Sequence, residues 1–231
     1  MVLFPLFGIV DIRAAAAPYA HPIIYLFFGG FMLALAMERW NLHRRIALNL
    51  IGIMGTKPSR IVAGFMVASA FLSMWVSNTA TALMMLPIAL SVTALLEAQA
   101  VDEKSKAGTA TFSLVLLLSV AYAATIGGLG TLIGTPPNAL LAAFLSQTFS
   151  YRIGFAGCML IGIPVVLVGI PLAWFLLTRV IFNVPDLEIP GTVDVITHER
   201  RKLDAITKPE IGVGLIFALT ALGWVTQPFL V

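Results

Sequence analysis

The sequence predicts an all-α integral membrane protein: a multi-pass helical bundle that holds a re-entrant helical hairpin and a broken transmembrane helix. Three observations predict it. Composition is the first: 59% of residues are hydrophobic and 11% charged, with a mean hydropathy of +0.98, where a soluble domain carries about 25% charged residues. Two polar interruptions inside apolar sequence of membrane length are the second. One is Ser73-Met74-Trp75-Val76-Ser77-Asn78-Thr79, between apolar runs 61–72 and 80–96. The other runs from Gly127 to Asn138 (Gly127, Gly128, Gly130, Thr131, Gly134, Thr135, Pro136, Pro137 and Asn138 with three apolar residues among them), between 112–126 and 139–145. In lipid, backbone that stops being helical must be buried in protein or line a watery cavity, because nothing else satisfies its N–H and C=O groups. The third is where the basic residues fall between the apolar runs.

The 231 residues leave room for roughly five or six passes of about 20 residues each. Residues 1–10 have no basic leading region or small-residue cleavage site and are too short to span, so they read as the tail of a longer helix. Residues 211–231 also stop in apolar sequence, so the chain reads as a fragment or one half of a larger protein. Pro22 opens a spanning helix over 23–37, closed by an interfacial anchor, Glu38-Arg39-Trp40. Residues 42–54 carry His43, Arg44, Arg45 and Asn49 among Leu and Ile; that is too polar to span and predicts an amphipathic helix lying in the interface. After Lys57-Pro58-Ser59-Arg60 comes the first break with its flanks, then a charged loop at 97–106. Residues 109–148 contain the second break, Tyr151-Arg152 form a short turn, and 154–177 make an uninterrupted spanning helix. A polar connector covers 182–208, and 211 begins another apolar helix. The one cysteine, Cys158, lies in apolar sequence, so no disulfide or metal framework forms within the chain. Trp75 and Pro87 read as packing residues, and the His43–Arg45 cluster as interfacial anchors.

Positive charge arbitrates the topology. If 61–96 enters and leaves by one face while 109–148 crosses once, then Arg39, Arg44, Arg45, Lys57, Arg60, Lys104, Lys106, Arg179, Arg200, Arg201, Lys202 and Lys208 share a side. Only Arg13 and Arg152 oppose them, a split of 12 to 2 among the 14 Lys and Arg. A single crossing by 61–96 would make the split 8 to 6. The bias favours a non-crossing 61–96 with cytoplasmic ends. Its arms of about 16 residues sit near the lower limit for a span, which predicts a re-entrant hairpin with its tip at mid-membrane. The net charge of +3 is too small to suggest nucleic acid, and the basic residues read as topology signals in a plasma (inner) membrane protein.

The chemistry of the breaks follows from the atoms they free. Ser77, Asn78 and Thr79 are good N-cap residues for the second arm, and the first arm ends with carbonyls that have lost their partners. Carbonyl and hydroxyl oxygens suit a hard cation such as Na⁺; N–H groups, the Asn78 amide and the positive end of a helix dipole suit a carboxylate or sulfate. In the second break the glycines allow close backbone approach, Pro136 and Pro137 leave upstream carbonyls unpaired, and Thr131, Thr135 and Asn138 add neutral donors and acceptors. No Asp, Glu, Lys or Arg occurs within 61–96 or 109–151. A dianion at such a site has no fixed counter-charge, so a co-bound cation is the expected partner, and a proton relay, which needs a buried ionisable group, is disfavoured.

Ser73–Ile88 resembles the Ser-Asn-Thr signature of the divalent anion/sodium symporter family, and Ile126–Asn138 is similar to that family's second signature. Residues 28–45 resemble the stretch that precedes its hairpin. The resemblance covers nearly the whole chain. It implies sodium-coupled symport of C4-dicarboxylates such as succinate, malate or fumarate, or of citrate or sulfate. It also implies homodimers in which a transport domain slides against a scaffold, and a fold in which this chain is one half of an inverted repeat. On that plan residues 1–60 supply scaffold helices and the interfacial arm, 61–150 half of the transport domain, and 151–231 a spanning helix, a cytoplasmic connector and the start of the next helix. Carried over by position, Ser73, Ser77, Asn78 and Gly134 form a sodium site, and Ser77, Asn78, Thr79, Gly134 and Thr135 touch a substrate carboxylate. A second, inverted half would bring its own Ser-Asn-Thr hairpin, a second sodium site and the rest of the substrate site.

Two other classes fit the residues less well. One is a related broken-helix permease with other coupling, of the arsenite, gluconate or proton-driven citrate type; the other is a non-transporting membrane fragment. A membrane enzyme is the least expected class, since the apolar part holds no cluster of His, Cys, Asp and Glu.

Overall fold

The computed structural model describes residues 3–20, 22–55, 57–99, 103–184, 201–203 and 205–230, and among these no strand occurs. In chain order the helices are α1 (Leu3–Leu6), α2 (Ile12–Ala16), α3 (Pro22–Arg39), α4 (Leu42–Ile53), α5 (Pro58–Ser73), α6 (Asn78–Gln99), α7 (Glu103–Gly128), α8 (Pro136–Phe149), α9 (Phe155–Phe175) and α10 (Lys208–Leu230). Among the described residues four segments are long and apolar enough to cross a membrane: Asn78–Ala98, Ser105–Gly128, Phe155–Ile181 and Lys208–Gln227. The protein is all-α and of the membrane class.

Boundaries move where local chemistry overrides apolar pattern. α1 is one turn, and Gly8 at φ +68° takes the chain out of it, so within 3–10 the helix ends after Leu6. The charged stretch 97–106 is helical at both ends, because α6 runs to Gln99 and α7 starts at Glu103; residues 100–102 lie outside the described residues. α9 continues through a π-helical turn, Leu176–Ile181, and Thr178 Oγ donates to the Trp174 carbonyl there at 2.7 Å. Most of the 182–208 connector, including His198, lies outside the described residues. α5, at 16 residues, is short for a span, whereas α6, at 22, extends beyond the predicted arm.

The core forms where α7 packs against both α5 and α6, with α4 against the other side of α5 and α9 against α7. Phe65, Met66, Leu72, Met85, Val92, Val115 and Leu116 fill it. Lipid tails are as apolar as these side chains, so close packing rather than water exclusion must hold such helices together. Gly127 shows how close: a Cβ there would overlap the backbone of Ala70 on α5.

α4 is the amphipathic helix expected, with His43, Ala47, Leu48 and Ile51 forming its buried stripe. Two members of the basic cluster are internal fastenings rather than surface anchors. His43 is 7% exposed, and its Nδ1 lies 3.0 Å from the Met37 carbonyl in the last turn of α3. As a donor there it satisfies an orphan carbonyl of that helix. Arg45 Nε donates to Glu210 Oε1 at 3.1 Å and its terminal nitrogen to Oε2 at 3.3 Å. The Thr207 N–H donates to Glu210 Oε2 at 2.7 Å and the Glu210 N–H to Thr207 Oγ at 3.3 Å. This capping box starts α10, and Arg45 ties it to α4.

Two predictions follow from these contacts. Glu210→Gln should lower stability by roughly 1–3 kcal/mol, read as a lower melting temperature in detergent, because it removes the carboxylate that bonds both Arg45 and the Thr207 N–H. Burial holds the His43 imidazole below its ordinary value of 6.5. The unfolded chain therefore takes up that proton first, and stability falls as pH drops below about 6.5. His43→Leu should flatten this part of the melting-temperature profile, and an unchanged slope would contradict it.

Candidate functional site

The turn 74–77 joins α5 to α6, and Ser77 is the N-cap: its Oγ accepts from the Ala80 N–H at 3.3 Å and its carbonyl from the Thr81 N–H at 2.9 Å. Asn78 and Thr79 are thus the first two residues of α6, whose N–H groups have no partner within a helix. The Asn78 side chain turns away from the cap. Its amide lies 2.7 Å from Ser73 Oγ. Turned so that its nitrogen faces inward, it donates to Ser73 Oγ at 2.7 Å, the Ala124 carbonyl at 3.2 Å and the Gly134 carbonyl at 3.2 Å. The opposite orientation would aim an amide oxygen at two carbonyl oxygens, so chemistry selects the donor orientation. One side chain of the hairpin thereby meets α5, α7 and the second break.

The second break is held open by its own polar groups. The end of α7 tightens through Leu129 N–H to the Ile126 carbonyl at 3.1 Å and Gly130 N–H to the Gly127 carbonyl at 2.8 Å. Pro136 and Pro137 supply no N–H to the carbonyls upstream. Asn138 does so instead, its amide nitrogen donating to the Gly128 carbonyl at 3.0 Å and the Thr131 carbonyl at 2.8 Å. Thr131 Oγ accepts from the Gly134 N–H at 3.1 Å and donates to the Met74 carbonyl in the hairpin turn. Thr131 therefore staples one break to the other. Close approach completes the fit: a Cβ on Gly134 would lie 2.5 Å from the Gly128 carbonyl oxygen and 3.0 Å from that of Ser73, and a Cβ on Gly128 would overlap the Asn78 amide.

Ser73, Asn78 and Gly134 thus come together at one place, while Ser77, next to Asn78 in the chain, is spent on capping α6. Ser73 and Gly134 are buried, Ser77, Asn78 and Thr135 half-buried, and Thr79 exposed. Thr135 is extended (φ −147°, ψ 141°) and caps α8 without a side-chain bond. The Gly134 N–H is already engaged by Thr131, so within Gly134–Thr135 the Thr135 N–H is the donor left for a ligand. The arrangement offers neutral oxygens (Ser73 Oγ and the Ala124 and Gly134 carbonyls) on one side, and the N–H groups that open α6 on the other. Helix-dipole charge at those ends favours an anion. Among the described residues no group of three or more His, Cys, Asp or Glu is placed to hold a metal.

Sequence reasoning missed Ala124, whose contribution is a carbonyl that no side-chain pattern announces. It named Thr131 and Asn138 as donors and acceptors without seeing that both are spent on bracing the loop. Asn138 following two prolines was the available signal.

A sequence model described as that of the citrate transporter family matches residues 1–231. The chain belongs to this family. The chain is similar to the sodium-dependent dicarboxylate transporter SdcS of Staphylococcus aureus strain USA300, 44% identical over 232 residues that cover all of this chain and 44% of the relative. The SdcS protein of strain NCTC 8325 / PS 47 is 43% identical over the same span. The chain spans about half the length of these relatives. The resemblance carried by Ser73–Ile88 and Ile126–Asn138 is thus matched by similarity along the whole chain.

Thr131→Val removes the hydroxyl that joins the breaks and leaves two backbone groups unpaired. It should cost roughly 1–3 kcal/mol of stability. Thr131→Ser, which keeps the oxygen, should melt near the wild type; equal melting of Val and Ser variants would remove the staple from the account.

Proposed function

We propose that this chain contributes half of the binding site of a sodium-coupled symporter for divalent anions, with C4-dicarboxylates as the favoured substrates and citrate or sulfate as the alternatives. The observation that carries the reading is the meeting of the two breaks at Asn78 in a part of the sequence without formal charge. A cation there takes oxygens from Ser73, Ser77 and the Gly134 carbonyl, with the Ala124 carbonyl within reach; Asn78 joins them as a ligand by turning its amide oxygen inward in place of the nitrogen. A substrate carboxylate takes Ser77, Asn78, Thr79 and the Gly134–Thr135 backbone. Each ion supplies the counter-charge that the protein lacks, so binding of one strengthens binding of the other. The named function of the SdcS proteins, sodium-dependent dicarboxylate transport, supports this coupling.

The same reading makes 61–96 a re-entrant hairpin with its ends on the cytoplasmic side. In it the basic-rich face is cytoplasmic, 61–150 moves against scaffold elements in 1–60 and 151–231, and the complete protein works as a homodimer in the plasma membrane. A second, inverted half completes the site. A proton-coupled carrier fits less well, because the site holds no ionisable side chain.

The test is uptake of labelled succinate by vesicles that bear the complete transporter. Replacing Na⁺ by choline should abolish uptake. Asn78→Ala should weaken Na⁺ and succinate together, each by about tenfold or more, since one amide serves both. Persistence of uptake in choline would refute sodium coupling. A change in succinate affinity with unaltered sodium dependence would refute the shared site.

A further inference from the structure

Away from the two breaks, a cavity of about 790 Å³ opens between the ends of α3, α8, α9 and α10. Its outer lining comes from helix ends and the 150–154 turn and is polar: Tyr25, Ser146, Arg152 and Gln227. The rest of the lining is apolar and includes Leu26, Leu132, Ala142 and Phe155, of which the last three are buried. Trp224, one turn before Gln227 on α10, also lines the cavity. Arg152 is exposed and makes no hydrogen bond or ion pair with the described residues. It is also one of only two basic residues assigned to its face by the charge distribution, the other being Arg13.

We infer that this cavity is a binding site for an anionic phospholipid, whose phosphodiester pairs with Arg152 and whose acyl chain enters the apolar slot. A guanidinium takes a phosphate with two parallel hydrogen bonds. Tyr25 and Trp224, amphipathic rings near helix ends, are the residues that settle at headgroup level. Ser146 and Gln227 add neutral donors for glycerol or ester oxygens. A free dicarboxylate or phosphate satisfies Arg152 but leaves the apolar slot unfilled. A zwitterionic lipid fills the slot but brings a second positive charge beside the guanidinium. An anionic phospholipid meets both halves of the lining.

The position gives the lipid a mechanical consequence. Phe155, in the wall, lies 5.2 Å from Trp224 and stacks at 6.2 Å on Trp75, which sits in the hairpin turn. Leu132, also in the wall, belongs to the second break. A lipid in the slot therefore packs against side chains that touch both breaks.

The test is native mass spectrometry of the purified protein, exchanged into detergent with equimolar phosphatidylglycerol and phosphatidylcholine of identical acyl chains. The protein should retain phosphatidylglycerol in preference to phosphatidylcholine. Arg152→Gln should reduce that retention roughly tenfold, and Arg152→Lys should keep most of it. Ser146→Phe, which plugs the slot while leaving Arg152 in place, should lower retention as far as Arg152→Gln does, and Arg13→Gln should leave it unchanged. Excess inorganic phosphate or succinate should not displace the lipid. Equal retention of the two lipids, or retention that survives Arg152→Gln, would overturn the proposal. Displacement by phosphate or succinate would overturn it in favour of a soluble-anion site. No retained lipid at all would overturn it in favour of a slot filled by another part of the protein.

Discussion

The whole arrangement depends on how polar backbone is satisfied where water is excluded. Two helices break within a region that has no charged side chain, and the broken ends satisfy each other. The Asn78 amide carries the link, meeting Ser73 on α5, the Ala124 carbonyl on α7 and the Gly134 carbonyl in the second break. Thr131 adds the second connection, to the Met74 carbonyl. The rest of the fold brings these groups within reach. α7 packs against both arms of the hairpin, and it comes close enough because Gly127 and Gly128 have no side chain to hold the neighbours off.

The same neutrality defines the chemistry. An ion pair built from fixed side chains would hold a cation or an anion whether or not the other was present. A cluster of carbonyls, hydroxyls, one amide and two helix N-termini holds neither well alone, because each ion remains uncompensated in a poorly solvated site. Together they compensate each other. On the proposed reading, coupling needs no relay between distant sites, since both ions would lean on one shared tip.

Much of this was legible in the sequence, because membrane burial makes polar residues conspicuous. Ser73, Ser77, Asn78 and Gly134 lie in the uncharged interruptions of apolar runs and were grouped by the family resemblance; the structure brings Ser73, Asn78 and Gly134 together. The all-α class followed from composition, and the long apolar helices at Ser105–Gly128, Phe155–Ile181 and Lys208–Gln227 from run length; Asn78–Ala98 is longer than the hairpin arm expected there. Less legible was what contributes through backbone: the Ala124 carbonyl has no signature, and the roles of Thr131 and Asn138 as braces depend on which carbonyls the two prolines leave unpaired. Helix ends also drifted, since charged stretches such as 97–106 can be helical outside an apolar region. The basic cluster misled in one respect. Arg45 reads as an interfacial anchor by position, and only the fold shows that Glu210, 165 residues further along the chain, closes on it.

The central claim is tested most directly by equilibrium binding of radioactive sodium to the purified complete transporter and to its Gly134→Ala variant. A methyl group there would crowd the Gly128 and Ser73 carbonyls and move the Gly134 carbonyl away from Asn78. The account predicts that sodium binding is lost in a variant that still folds, with a melting temperature in choline lowered by the crowding. Undiminished sodium binding by a folded Gly134→Ala protein would contradict it.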